Sequence, residues 1–162
     1  MTPAQLTLPA EPASVPQARR FVCDSLTSLG AAPACGDAET LTSELATNAV
    51  IHARTPFTVE VSRDGQIVRI CVLDTSPAPP RLRDYGLDAT TGRGMRLVAS
   101  LAVDWGVQPQ GRGKTVWFEL PADGRTAFVP TWDDDEDIDV ETLLAAFDGD
   151  DAGGAGAVAR AA

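Results

Sequence analysis

The chain has 162 residues, 44% of them hydrophobic and 22% charged, a composition that fits one globular domain and excludes wholesale disorder, collagen-like repeats and a disulfide scaffold. The net charge of −10 is uneven: Asp133 to Asp151 holds ten acidic residues and no basic one, while residues 1–132 carry thirteen acids against twelve bases. No basic stripe suited to a phosphate backbone is present, so direct nucleic-acid binding is not expected.

Residues 5–9 alternate apolar and polar side chains up to Pro9 and read as a short strand. From Ser14 to Leu29, Val15, Ala18, Phe21, Val22, Leu26 and Leu29 recur at helical spacing, with Gly30 and Pro33 as the stop. A second helix is expected from about Asp37 to Ala53, with Leu41, Leu45, Ala49 and Ile51 on its apolar side, closed by Pro56. The period then changes to two. Phe57, Val59 and Val61 alternate with polar residues, Asp64-Gly65 offers a hairpin turn, and Ile67 to Leu73 follows as a more buried strand.

Residues 75–91 are rich in Pro, Asp, Gly and Thr and read as a long loop, a length usually kept for function or disorder. A third helix is expected over Gly92 to Leu101, with Met95, Val98, Leu101 and Ala102 on one face. Trp105-Gly-Val and Thr115 to Leu120 close the series as two strands around a Gln-Gly-Arg-Gly turn. This order predicts an α+β two-layer sandwich, its mixed or antiparallel sheet covered on one face by three helices. Residues 126–162 read as an acidic, mostly disordered tail, interrupted by a short amphipathic helix at 139–147 that carries Val140, Leu143, Leu144 and Phe147.

Cys23, Cys35 and Cys71 are odd in number, form no Cys-x-x-Cys pair and share the chain with a single histidine, so neither a disulfide framework nor a zinc site is expected. Their default role is as buried core residues. With no stretch near the roughly 18 apolar residues of a membrane span and no signal-like N-terminus, the expectation is a soluble cytoplasmic protein without membrane contacts.

Three segments carry chemistry. Glu44, Asn48 and His52 are spaced four apart and project from one helix face, which serves either a half-buried site or a solvent-facing stripe. Asp74 ends an apolar strand beside the long loop, where it accepts from a ligand amine or caps the turn at Thr75 and Ser76. Gly92-Arg93-Gly94-Met95 opens a helix whose N-terminal amides attract phosphate, or whose glycines only permit a tight turn. Their order is more specific than any one of them.

Glu-Leu-Ala-Thr-Asn-Ala-Val-Ile-His-Ala on a helix, a hairpin ending in Asp74, a loop, Gly-Arg-Gly-Met, and a last strand Gly-Lys-Thr-Val-Trp-Phe-Glu-Leu together resemble the GHKL ATPase superfamily. Within it they look like the histidine-kinase-like domains of the anti-sigma-factor serine/threonine kinases. The resemblance covers roughly residues 5–121 and implies an ATP-binding domain over 1–125 with a Bergerat-type fold. It implies Mg²⁺ on Asn48, a general base at Glu44, and adenine on Asp74 with Thr115 supporting it. Gly92 and Gly94 would lend amides to the phosphates, residues 75–91 would form the lid, and Arg93, Arg96 and Lys114 are candidate cations.

The family commonly has glycine two residues after the aspartate, where this chain has Ser76, so that residue bears on base affinity. His52 falls in the family's helix box and reads as a structural helix-end residue. The implied function is a protein kinase that phosphorylates an anti-sigma antagonist and sequesters a sigma factor, with a homodimer as the related kinases' assembly. Two other functions stay open: a nucleotide sensor without transfer, and an interaction protein acting through its acidic tail.

Overall fold

The computed structural model describes residues 2–76, 98, 101–125 and 159–160. Strand β1 (Ala4–Leu8) leads into helix α1 (Ser14–Ser28), a short 3-10 turn (Ala32–Ala34), helix α2 (Cys35–Asn48) and a π turn (Ala49–Ala53). Strands β2 (Phe57–Asp64), β3 (Ile67–Asp74), β4 (Asp104–Gln110), β5 (Gly113–Pro121) and the two-residue β6 (Ala159–Arg160) complete one sheet in the order β1-β2-β3-β5-β4-β6. Every strand pair is antiparallel. The expected α+β two-layer sandwich is therefore the observed one, with its mixed-or-antiparallel alternative resolved to antiparallel.

The pleat sorts the side chains. Val59, Val61, Val68, Ile70, Val72, Trp105, Val107, Val116, Phe118 and Leu120 face the helices and are buried. Ala18, Val22 and Leu26 of α1 and Leu41 and Leu45 of α2 meet them from above. Both helices pack on one another, α1 also on β1 and β2, α2 also on β3 and β5. The opposite face carries polar cross-strand pairs: Gln5 with Glu60 at 2.6 Å, Thr7 with Thr58 at 2.8 Å, and Arg69 with Glu119 at 2.6 Å. Arg69 also lies 4.3 Å over the ring of Trp117, which is buried despite its place on that face.

Several expectations need correction. Helix α2 starts at Cys35, and at Asn48 its hydrogen bonding widens into a π turn that ends on Arg54 in the left-handed region (φ 54°). The extra residue per turn rotates the chain, and Ile51, expected on the apolar side, is 50% exposed. The β2–β3 turn uses Gly65 and Gln66, one residue later than expected, because Asp64 still pairs with Ile67. Of the third helix, Val98 and Leu101 are described; both are helical and Val98 is fully buried. The helix expected at 139–147 lies outside the described residues. From the expected tail, Ala159–Arg160 pairs with Gly106 and Val107 of β4.

The cysteines depart furthest from expectation. Cys23 of α1 and Cys35 of α2 are joined in a disulfide across a Cα–Cα distance of 5.2 Å. A separation of 12 residues hides this pair from any Cys-x-x-Cys scan, but the two helices fold back on each other through the 3-10 turn and bring the residues together. Closing a loop of this size restricts the unfolded chain by about 3 kcal/mol. Reduction with dithiothreitol should therefore lower the thermal midpoint by about 10 °C, and Cys23→Ser should reproduce the shift without reductant. An unchanged midpoint in both would show that the bridge adds nothing to the helix pair. Cys71 is unbridged. Burial first, then the Glu60 carboxylate, pushes its thiol up to about 11, so it stays protonated near neutral pH and is no nucleophile.

Candidate active site

The chain brings one end of α2 and one end of β3 together. Phe57, at the start of β2, pairs with Asp74 at the end of β3, and only Arg54, Thr55 and Pro56 separate Phe57 from the π turn. The π turn itself packs on β3. Glu44 and Asn48 lie one helical turn apart on α2, whose π turn leads into that sheet end. Both are half-buried beside the buried stripe of Leu41, Leu45 and Ala49, and neither side chain has a hydrogen-bond or ion-pair partner among the described residues.

His52 shares their spacing but not their setting. The π turn displaces it from α-helical register, and its Nε2 is buried without a hydrogen-bond partner, as is Thr55 Oγ1 three residues on. This placement fits a helix-end residue.

Asp74 is the best-defined group of the site. Its residue is 7% exposed, and its carboxylate meets the Lys114 ammonium through both oxygens, at 3.0 Å to Oδ1 and 2.9 Å to Oδ2. The backbone N–H of Ser76 donates to Oδ1 at 3.0 Å, so the carboxylate also caps the turn that leaves β3. Oδ1 thus accepts from both Lys114 and Ser76, and Oδ2 from Lys114. Ser76, expected to bear on base affinity, is itself buried and contributes its amide to this arrangement.

Thr115 is misplaced in the expected site. Register pairs it with Leu73, so the pleat sends it to the opposite face from Asp74, where its hydroxyl donates to Gln110 Oε1 at 2.7 Å. The residue that pairs with Asp74 across the strands is Lys114. Counting back by twos from the core-facing Phe118 and Val116 reaches Lys114, and that parity was the available signal.

Gly113 was also missed. A Cβ on it would stand 2.0 Å from the Asp74 carbonyl oxygen and 2.8 Å from Thr75 Cα, so only glycine lets the start of β5 close on the end of β3. Gly92, Arg93, Gly94, Met95 and Arg96, with the lid from residue 77 onward, lie outside the described residues.

With a half-buried Glu and Asn on a helix that leads toward a strand-end aspartate, in a sandwich of this topology, the comparison with known families is decisive. The model of the histidine kinase-like ATPase domain matches residues 8–120. The chain belongs to that family. The match runs from the last residue of β1 to within one residue of the end of β5 and includes every described residue of the site. No curated protein matches the chain. As a histidine kinase-like ATPase domain the fold binds ATP.

Asn48 fits Mg²⁺ by the chemistry of its donor. It offers one neutral amide oxygen at a helix end, and a small hard cation that retains waters and takes phosphate oxygens needs few protein ligands.

Proposed function

We propose that this ATPase domain is a serine/threonine protein kinase of the anti-sigma type, which phosphorylates a protein antagonist and, when not engaged with it, sequesters a sigma factor. The observation that carries this reading is the pair Glu44 and Asn48. One carboxylate and one amide, half-buried and without partners among the described residues, stand one turn apart on the helix whose end leads to the strand end bearing Asp74. Support comes also from the family match over residues 8–120.

In this reading Asp74 fixes the adenine and Asn48 holds Mg²⁺, whose charge would neutralise the phosphate oxygens. Glu44 accepts the proton of an acceptor serine as its oxygen bonds to the γ-phosphorus and the bond to the β-phosphate oxygen breaks, releasing ADP. Positioning and charge neutralisation are most of what phosphoryl transfer requires of a protein. The partners are a sigma factor, an antagonist protein, or both, and the assembly is a homodimer.

The test is incubation of the protein with γ-labelled ATP and candidate antagonist proteins. Label on a serine or threonine of one partner is the expected result. ATP binding with every partner unlabelled would contradict transfer and leave a nucleotide sensor.

A further inference from the structure

The bridge between Cys23 and Cys35 is faced by a third group that a structural disulfide does not use. Glu39 follows Cys35 by four residues on α2, so the two share a helix face. The Cys23 and Cys35 sulfurs and a Glu39 carboxylate oxygen all lie within 4.8 Å of one another at the seam of α1 and α2. The Cys23 sulfur also lies 3.7 Å from the Cys35 carbonyl oxygen, a contact that only its thiol form can use as a donor. Cys35 opens α2 and Asn48 closes it, which sets this cluster about 20 Å along the helix from Asn48.

We propose that Cys23, Cys35 and Glu39 form a Zn²⁺ site that is open only when the Cys23–Cys35 bridge is reduced. The bridge and the ion compete for the same two sulfurs.

Reduction by a dithiol breaks the S–S bond, leaves one hydrogen on each cysteine sulfur and turns the reductant into its own disulfide. Zn²⁺ then releases both thiol protons to solvent and takes two thiolates and the Glu39 carboxylate, with a water in the fourth position. Tetrahedral bonds of about 2.3 Å to sulfur and about 2.1 Å to oxygen set such donors roughly 3.5–4 Å apart, inside the 4.8 Å span of the cluster. The two helices already hold the Cα atoms 5.2 Å apart, so turning the cysteine side chains is enough to part the sulfurs. Two thiolates among three donors select zinc over Mg²⁺ or Ca²⁺, which take oxygen. The ion would hold the start of α2 to α1 in the reduced chain, as the bridge does in the oxidised one.

The experiment reduces the full chain with dithiothreitol, removes the reductant by anaerobic gel filtration, and titrates Zn²⁺ against a chromophoric chelator and Co²⁺ as its spectroscopic stand-in. Reduced wild type is expected to bind one equivalent with a dissociation constant below about 1 µM, short of the affinity of four-ligand structural sites, and to show thiolate-to-cobalt absorption. The oxidised chain is expected to bind none. Cys71→Ser should match wild type, because the unbridged thiol is not part of the cluster. Glu39→Gln should bind at least about tenfold more weakly, since even a group that only supports a metal ligand is worth that much. Its oxidised form should melt as wild type does, which separates a ligand from a structural residue.

No binding by the reduced chain, or equal binding by reduced and oxidised chains, would overturn the proposal. So would a Glu39→Gln variant that binds as wild type, or a site lost in Cys71→Ser. Should the reduced chain lose its fold, recovery of its circular dichroism spectrum on adding Zn²⁺ is the readout, and no recovery overturns the proposal. None of these measurements involves ATP, so their failure leaves the nucleotide reading intact.

Discussion

Glu44→Ala is expected to lower phosphate transfer to the acceptor serine by about 10²–10⁴-fold, the usual contribution of a positioned general base, with ATP affinity within about twofold of wild type. The reason lies in where the side chain sits. Glu44 is half-buried on α2, one turn before Asn48, and has no partner among the described residues. Its removal takes away no internal hydrogen bond and no core contact, since the buried face of α2 belongs to Ala38, Leu41, Thr42, Leu45 and Ala46. In the proposed function the base is held by Asp74, which this substitution leaves in place. Loss of transfer with binding retained is therefore the signature of the proposed role. A transfer rate equal to wild type, measured with labelled ATP and the same partner, would remove Glu44 from the mechanism.

Gly113→Ala is expected to destabilise the fold by about 3 kcal/mol, the upper range for overpacking, and to weaken ATP binding about tenfold or more. The added methyl would meet the backbone of Asp74 and Thr75 at 2.0 and 2.8 Å, and neither is the end of a flexible side chain that can move aside. Relief requires β5 to draw back from β3, which separates Lys114 from Asp74 and tilts the carboxylate. Thermal melting and ATP titration on the same sample read both effects. A variant that melts and binds as wild type would show that the strand end is looser than its contacts imply.

Much of the fold was legible because local and global patterns agree. The 3.6-residue recurrence of Ala18, Val22 and Leu26 and the alternation of Phe57, Val59 and Val61 each matched the face that is buried. The π turn was not legible. Nothing in Ala49-Val-Ile-His-Ala marks a widened turn, and an ideal helix laid through it put Ile51 inside when it is exposed. The disulfide escaped for a different reason: its partners are close only once α1 and α2 have packed, a tertiary fact that spacing along the chain does not carry.

The site divides in the same way. Glu44, Asn48 and Asp74 each kept a second reading on spacing alone, and only the order of the segments, through its resemblance to the family, singled them out. Thr115 came from the same resemblance, which does not say which face of the strand it occupies. Strand parity assigns that place to Lys114. A lysine reads in sequence as a surface residue or a phosphate cation. Its burial against a carboxylate appears only when β3 and β5 are set in register.

The most direct test of the central claim is calorimetric titration of ATP with Mg²⁺ into the purified protein, repeated with Asn48→Ala and Asp74→Ala. Micromolar binding in the wild type, lost in both variants while their thermal midpoints hold, is the predicted result. Absence of binding in the wild type, or binding that persists unchanged in Asp74→Ala, would contradict a nucleotide site at the end of β3.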